Sequence, residues 1–305
     1  MIRSFYLWLI FMIGFNISLN AQSKFWSGKD AYLGQKPPSD KPEIFARNLL
    51  TQRDTFPLDR VAFSNDGKEF YYPSNTTWFS NKDSKIRYFK YEHGKWNGPF
   101  VLNAFYYAPT FSTDNKTLYF LGGQGDGKHA FVWQSKRTPT GWTEPVVYLK
   151  KDYGLYDFMP TRSGVCYVGS NAHQGDRKDF STYDICTLIL SAKDTVIKSL
   201  GPPVNTPGFD GDFYIAPDES YMIVSAKETK TFECELDISF RKRDNTWTEP
   251  VSLGPLINDG IAHRWGEYVT PDGKYLFYSR GTSPADCHIY WVRFDTLLKK
   301  LKPTQ

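Results

Sequence analysis

One turn signature recurs along the whole chain and restricts the fold more than any other feature. Val61-Ala-Phe-Ser-Asn-Asp-Gly-Lys-Glu-Phe-Tyr-Tyr72 and Glu267-Tyr-Val-Thr-Pro-Asp-Gly-Lys-Tyr-Leu-Phe-Tyr278 follow one pattern, and 109–120 and 213–224 repeat it between them. A degenerate copy, Met159-Pro-Thr-Arg-Ser-Gly-Val-Cys-Tyr-Val168, fills the remaining gap. Each copy is an apolar strand, a turn on Asp-Gly, Asp-Asn or Asp-Glu, and a second alternating strand, which is a β-hairpin signature. Asp braces such a turn with its own side chain, and Gly accepts the positive φ that other residues resist. A period of roughly 45–50 residues is that of propellers and repeat arrays.

The units extend beyond the hairpin. A third strand follows around Ile86, Val132, Ile185, Ile238 and Ile289, and a fourth is marked by Trp96-Asn-Gly-Pro99, Trp142-Thr-Glu-Pro145 and Trp247-Thr-Glu-Pro250. In the third unit Leu200-Gly-Pro-Pro-Val204 takes that place without its Trp. Proline suits an outer strand, which has an unpaired side. After Trp291-Val-Arg-Phe294 the last unit lacks its fourth strand, while Pro42–Leu50 precedes the first hairpin as Pro99-Phe-Val-Leu102 precedes the second. These residues predict an all-β, five-bladed propeller of four-stranded antiparallel blades, with six blades as the alternative count. An N-terminal strand from 42–50 closes the ring and removes its free edge. Aromatic residues at 17% of the chain supply the many short strands with a core.

The repeat resembles the TolB-like propeller family, related to WD-type repeats. Its units read apolar-Ser-Pro-Asp-Gly-Lys before an apolar strand, and Val269-Thr-Pro-Asp-Gly-Lys-Tyr-Leu-Phe-Tyr278 matches that closely. The resemblance covers residues 40–295 and implies a propeller fold; it carries little about function, because propellers host many unrelated roles. The family's namesake has six blades and a separate N-terminal domain, from which this sequence departs.

Around the repeats, 1–21 reads as a secretory signal peptide: Arg3, an apolar stretch from Phe5 to Phe15, and a small residue at Ala21. The expected organisation is a signal peptide over 1–21, an N-terminal extension over 22–40, a single propeller domain over 41–295 and a basic tail over 296–305. The implied location is periplasmic or secreted, with no membrane span in the mature chain. The net charge of +4 is scattered rather than gathered into a stripe, which argues against nucleic acid.

No catalytic motif stands out. His93, His129, His173, His263 and His288 lack metal-ligand spacing, so no metal and no cofactor is expected. Gly122-Gly-Gln-Gly-Asp-Gly127 joins two strands and reads as a loop rather than a phosphate cradle. Segments just before the innermost strands should line the channel mouth, and they supply the ligand-binding candidates Asp59, Arg60, Tyr107, Asp157, Asp210, Asp212, Arg264, Trp265 and Glu267. Carboxylates from several blades can pair with neighbouring bases, hold a ligand, or do acid/base work. The leading expectation is a non-enzymatic envelope module that binds a protein or a glycan on one face; the alternative is a glycoside hydrolase or lyase using those carboxylates. Cys166 and Cys186 flank a loop within the third unit and form a disulfide candidate, with buried thiols as the other reading.

Overall fold

The hairpin turns behave as their sequences demand. Gly67, Asn115, Gly164, Glu219 and Gly273, one in each repeat, all adopt positive φ. The hydroxyls of Ser64, Ser112 and Thr270 donate to Asp66, Asp114 and Asp272 at 2.6 Å, locking three of the turns. In a computed structural model, which describes residues 24–52, 54–78, 82–172, 179–190 and 195–303, the hairpins organise five antiparallel blades. The signal peptide read over 1–21, and His173, lie outside the described residues.

Blade one has its inner strand broken into Phe56–Pro57 and Ala62–Phe63, followed by Glu69–Asn75, Lys85–Glu92 and Lys95–Ala104. Blade two runs Tyr106–Phe111, Thr117–Gly122 and Ala130–Thr138, with its outer edge split around Pro145 into Gly141–Trp142 and Val146–Lys151. Blade three is Tyr156–Pro160, Cys166–Ser170, Asp184–Leu190 and Thr195–Ser199. Blade four is Phe213–Ile215, Tyr221–Ala226, Glu235–Phe240 and Val251–Ser252. Blade five is His263–Val269, Tyr275–Gly281 and His288–Arg293, completed by the N-terminal Glu43–Ile44.

The closing strand forms, with Glu43 opposite Trp291 and Ile44 opposite Tyr290. It is shorter than expected, because Ala46 turns left-handed and the segment continues as a helix, Arg47–Leu50. Three expectations need correction. The fourth strand of blade three is Thr195–Ser199 rather than 200–204, which forms the connection onward to blade four. The disulfide is not made: register sets Cys186 opposite Val168 and Cys166 opposite Leu188, and all four cysteines are buried free thiols. Diagonal neighbours on paired strands stand about 7–8 Å apart, beyond the Cα span of a disulfide. The segment read as a basic tail carries a helix, Asp295–Leu301, whose Leu297, Leu298 and Leu301 pack on the core.

Seams between blades are aromatic and ionic. Arg137 of blade two makes a bidentate pair with Glu69 of blade one, both bonds 2.9 Å, and lies 4.4 Å from the Trp142 ring. Trp142 in turn donates to the Tyr71 hydroxyl at 2.8 Å. Between blades five and one, Phe45, Phe63, Phe70, Phe277 and Trp291 share a cluster with Trp26 and Tyr32 from the N-terminal segment. A Cβ at Gly67 would fall 2.9 Å from the Trp26 ring, so glycine lets that segment close over the first turn.

Candidate functional site

The innermost strands do not run straight. Pairing register shifts between Tyr107 and Thr110, Tyr156 and Met159, and Trp265 and Tyr268, and within those gaps Ala108, Asp157 and Gly266 take positive φ. Asp59 has the same conformation in the break of blade one. Such bulges re-aim side chains locally. At Gly266 a Cβ would sit 2.4 Å from the Arg60 amide nitrogen, so only glycine admits that backbone approach.

The result is an ionic node built on Arg60, which is fully buried. Its guanidinium pairs with Asp157 of blade three at 2.6 Å and donates to the Phe213 carbonyl of blade four at 2.7 Å. It also donates to the Glu267 carbonyl of blade five at 3.3 Å and to the Thr110 hydroxyl of blade two at 3.5 Å. One side chain from blade one therefore touches the other four.

Four buried carboxyl groups share this node. Burial, and then the charge of Asp157, push Asp59 up to about 7 against the opposing pull of Arg60. Burial also raises Asp157, with Arg60 opposing. Asp212 is held well above the usual carboxylate range by burial, then by the charges of Asp157 and Glu267. Burial lifts Glu267 to about 8, although Ser225 donates to it at 2.8 Å. One oxygen of Asp212 and one of Glu267 are buried without a hydrogen bond. Burial raises the Tyr107 phenol, helped by Asp59 and Asp157.

The remaining candidates do other work. Asp210 accepts from the Thr206 amide at 2.6 Å and fastens the connection into blade four. Arg264 is buried and donates to carbonyls of Ile257, Cys234 and Ala262 at 3.0, 2.8 and 3.2 Å, stapling the loop before blade five. Trp265 is likewise buried: it stacks on His263 at 4.1 Å and meets Trp78 edge-on, filling the seam between blades five and one.

On the other side of Arg60, toward the hairpin turns, lies a cavity of about 480 Å³. Phe63, Phe111, Tyr214 and Tyr268 line it, Arg60 forms part of its wall, and Arg162 and Thr113 are exposed along it. None of the five predicted carboxylates does. The four aromatic lining residues sit inside the hairpin signatures, where their apolar character reads as core and sets them apart from the polar candidates.

No protein-family profile matches the chain, and no curated protein sequence does. Among solved structures, a putative TolB from Agrobacterium tumefaciens superposes with a TM-score of 0.48 at 11% identity, covering 78% of this chain and 74% of that one. TolB from Acinetobacter baumannii gives 0.46 at 13%, covering 76% of this chain and 54% of that one. Prolyl oligopeptidase B from Galerina marginata gives 0.40 at 16%, covering 73% and 31%. The chain thus spans about half the length of the second TolB and less of the peptidase. Likenesses this distant carry no activity across. The chain is a five-bladed, four-stranded β-propeller whose structural neighbours include TolB proteins.

Proposed function

We propose that this chain is a non-enzymatic recognition module of the cell envelope that receives a protein segment or a glycan at the turn-side mouth of its axial cavity. One observation carries the reading: the acids that hydrolysis would need are enclosed behind Arg60, whereas the cavity beyond it offers aromatic faces and cations. Glycosidases bring an acid and a second carboxylate to opposite faces of a bound sugar, with room for water. Here Asp59, Asp157, Asp212 and Glu267 are buried around a guanidinium that spans every blade. A pocket of a few hundred Å³ with aromatic walls and a few polar groups suits a small ligand or a chain end. Export to the periplasm or beyond is part of the proposal and rests on the Arg3 to Ala21 pattern.

Thr113 is exposed at the rim of the cavity, so Thr113→Trp should cap it without touching the core. Wild type and variant, immobilised side by side, are passed over an envelope extract and a glycan array. A ligand held by wild type and lost by at least tenfold from the variant supports the reading. Equal capture by both moves the site elsewhere, and turnover of a polysaccharide by wild type overturns the non-enzymatic role.

A further inference from the structure

Glu228, Cys234 and His263 meet at the seam between blades four and five, their ligand atoms all within 4.8 Å of one another. Among the described residues no other group of three such side chains comes together in this way. We propose that these three residues form a zinc-class divalent metal site, with thiolate, imidazole and carboxylate as protein ligands and water in the fourth position.

The fold places each ligand firmly. Glu228 and Cys234 flank the loop joining Tyr221–Ala226 to Glu235–Phe240, and that loop is cross-tied by the Thr229 amide to the Glu233 carbonyl at 2.9 Å. His263 begins the inner strand of blade five, and the Cys234 amide donates to the adjoining Ala262 carbonyl at 3.1 Å, which clamps the two blades together at the site. The imidazole plane is set by stacking on Trp265 at 4.1 Å and 16°. The Cys234 thiol donates to the Arg264 carbonyl at 2.9 Å, a bond that metal binding replaces, while the Arg264 amide donates to the sulfur at 3.3 Å, the kind of outer contact that steadies a metal-bound thiolate.

The donor set and the charge both fit. One Glu228 oxygen is buried with no hydrogen-bond partner, a costly arrangement that a cation offsets. Tetrahedral zinc with these ligand types needs donor atoms about 3.3–3.6 Å apart, so adjustments of about an ångström close the site. Cys234 releases its thiol proton to solvent on binding, and a dication then faces one thiolate and one carboxylate. Thiolate with imidazole selects zinc over magnesium or calcium. The three residues stand six and twenty-nine positions apart in sequence, which matches no ligand motif and leaves His263 without a local metal-site signature. The inference is independent of the recognition reading.

The test is a titration of chelator-dialysed full chain with Co²⁺, then Zn²⁺. One cobalt per chain should bind with a thiolate-to-cobalt charge-transfer band, and one equivalent of zinc should abolish it. C234S should lose the band; E228Q should bind at least tenfold more weakly; C287S, altering another buried thiol, should keep it. If C234S does not fold, E228Q decides, since Glu228 lies on a loop. Absence of the band in wild type, its loss in C287S with survival in C234S, or unchanged affinity in E228Q overturns the proposal.

Discussion

Arg60→Met removes the guanidinium from the ring axis while keeping most of the side chain's length and apolar packing. It leaves Asp157 without its 2.6 Å partner and the Phe213 carbonyl without its 2.7 Å donor, both in buried surroundings. Breaking a buried ion pair from one side costs about 3–5 kcal/mol. With an unfolding entropy of about 2.1 cal/mol/K per residue, a 305-residue chain should lose roughly 5–8 °C in Tm. The cost depends on pH in a stated direction. Without Arg60, burial of the Asp157 carboxyl is opposed by the Phe213 amide and no longer by a cation, so it takes up a proton more readily and the damage shrinks as pH falls. Urea denaturation followed by tryptophan fluorescence at pH 5.5 and pH 8 measures both effects. The double variant R60M/D157N should cost less than the two single variants combined, because paired groups are not additive. A loss below about 1 kcal/mol at pH 8, or equal losses at the two pH values, would refute the view that this arginine holds the blades together.

Three further outcomes follow from the structure. Asp59 and Asp210 are raised to about 7 and Glu267 to about 8, chiefly by burial, so the folded chain binds more protons than the unfolded one. The stability this gives is complete below the ordinary carboxylate range and is lost as pH rises through 7–8; Tm should fall between pH 6 and 9 in a buffer series, and a rise would contradict the assignment. Trp26 is buried and donates to the Asn65 carbonyl at 3.0 Å, so Trp26→Ala should cost about 3–5 kcal/mol by chemical denaturation, against under about 0.5 for the more exposed Leu49→Ala. Equal effects would detach the N-terminal segment from the folded core. Alkylation without reductant should label four thiols in denatured protein and none in native protein, read by intact mass; two labelled thiols after denaturation would restore the disulfide.

What could be read in the sequence is what the repeat imposes locally. Asp66-Gly67 and Asp272-Gly273 fix their turns through one side chain and one φ angle, and those two facts suffice to place a hairpin. Ring closure was readable because Pro42–Leu50 resembles the other outer segments, although only Glu43–Ile44 pairs. Blade three was misaligned where its marker Trp is missing. Cys166 and Cys186 flank one loop but miss each other by two residues, because register is decided by the whole strand pair. Arg264 and Trp265 lie within the inner strand His263–Val269, whereas Asp59 and Arg60 lie in the break of theirs, and the strand turns the first pair toward a loop and a blade seam. Nothing local distinguishes Arg60 from other basic residues; its role arises only when five strands converge.

That convergence also accounts for where recognition can occur. At the level of Arg60 one side chain touches every blade and fills the axis, so polar residues placed there must satisfy one another. They do so incompletely: one guanidinium faces Asp59, Asp157, Asp212 and Glu267, and two of those acids keep an unpartnered oxygen. Burial resolves the excess by favouring their protonated forms, which makes the node a stabilising element at neutral pH and below. The two proposed sites lie away from the node, the aromatic cavity toward the turns and the Glu228, Cys234 and His263 cluster at the seam of blades four and five. Arg60 separates the two, so capping the cavity at Thr113 should leave cobalt binding at Cys234 unchanged, as sites without shared partners behave independently. Coupling between them would mean that the node moves and that Arg60 does not separate the two sites.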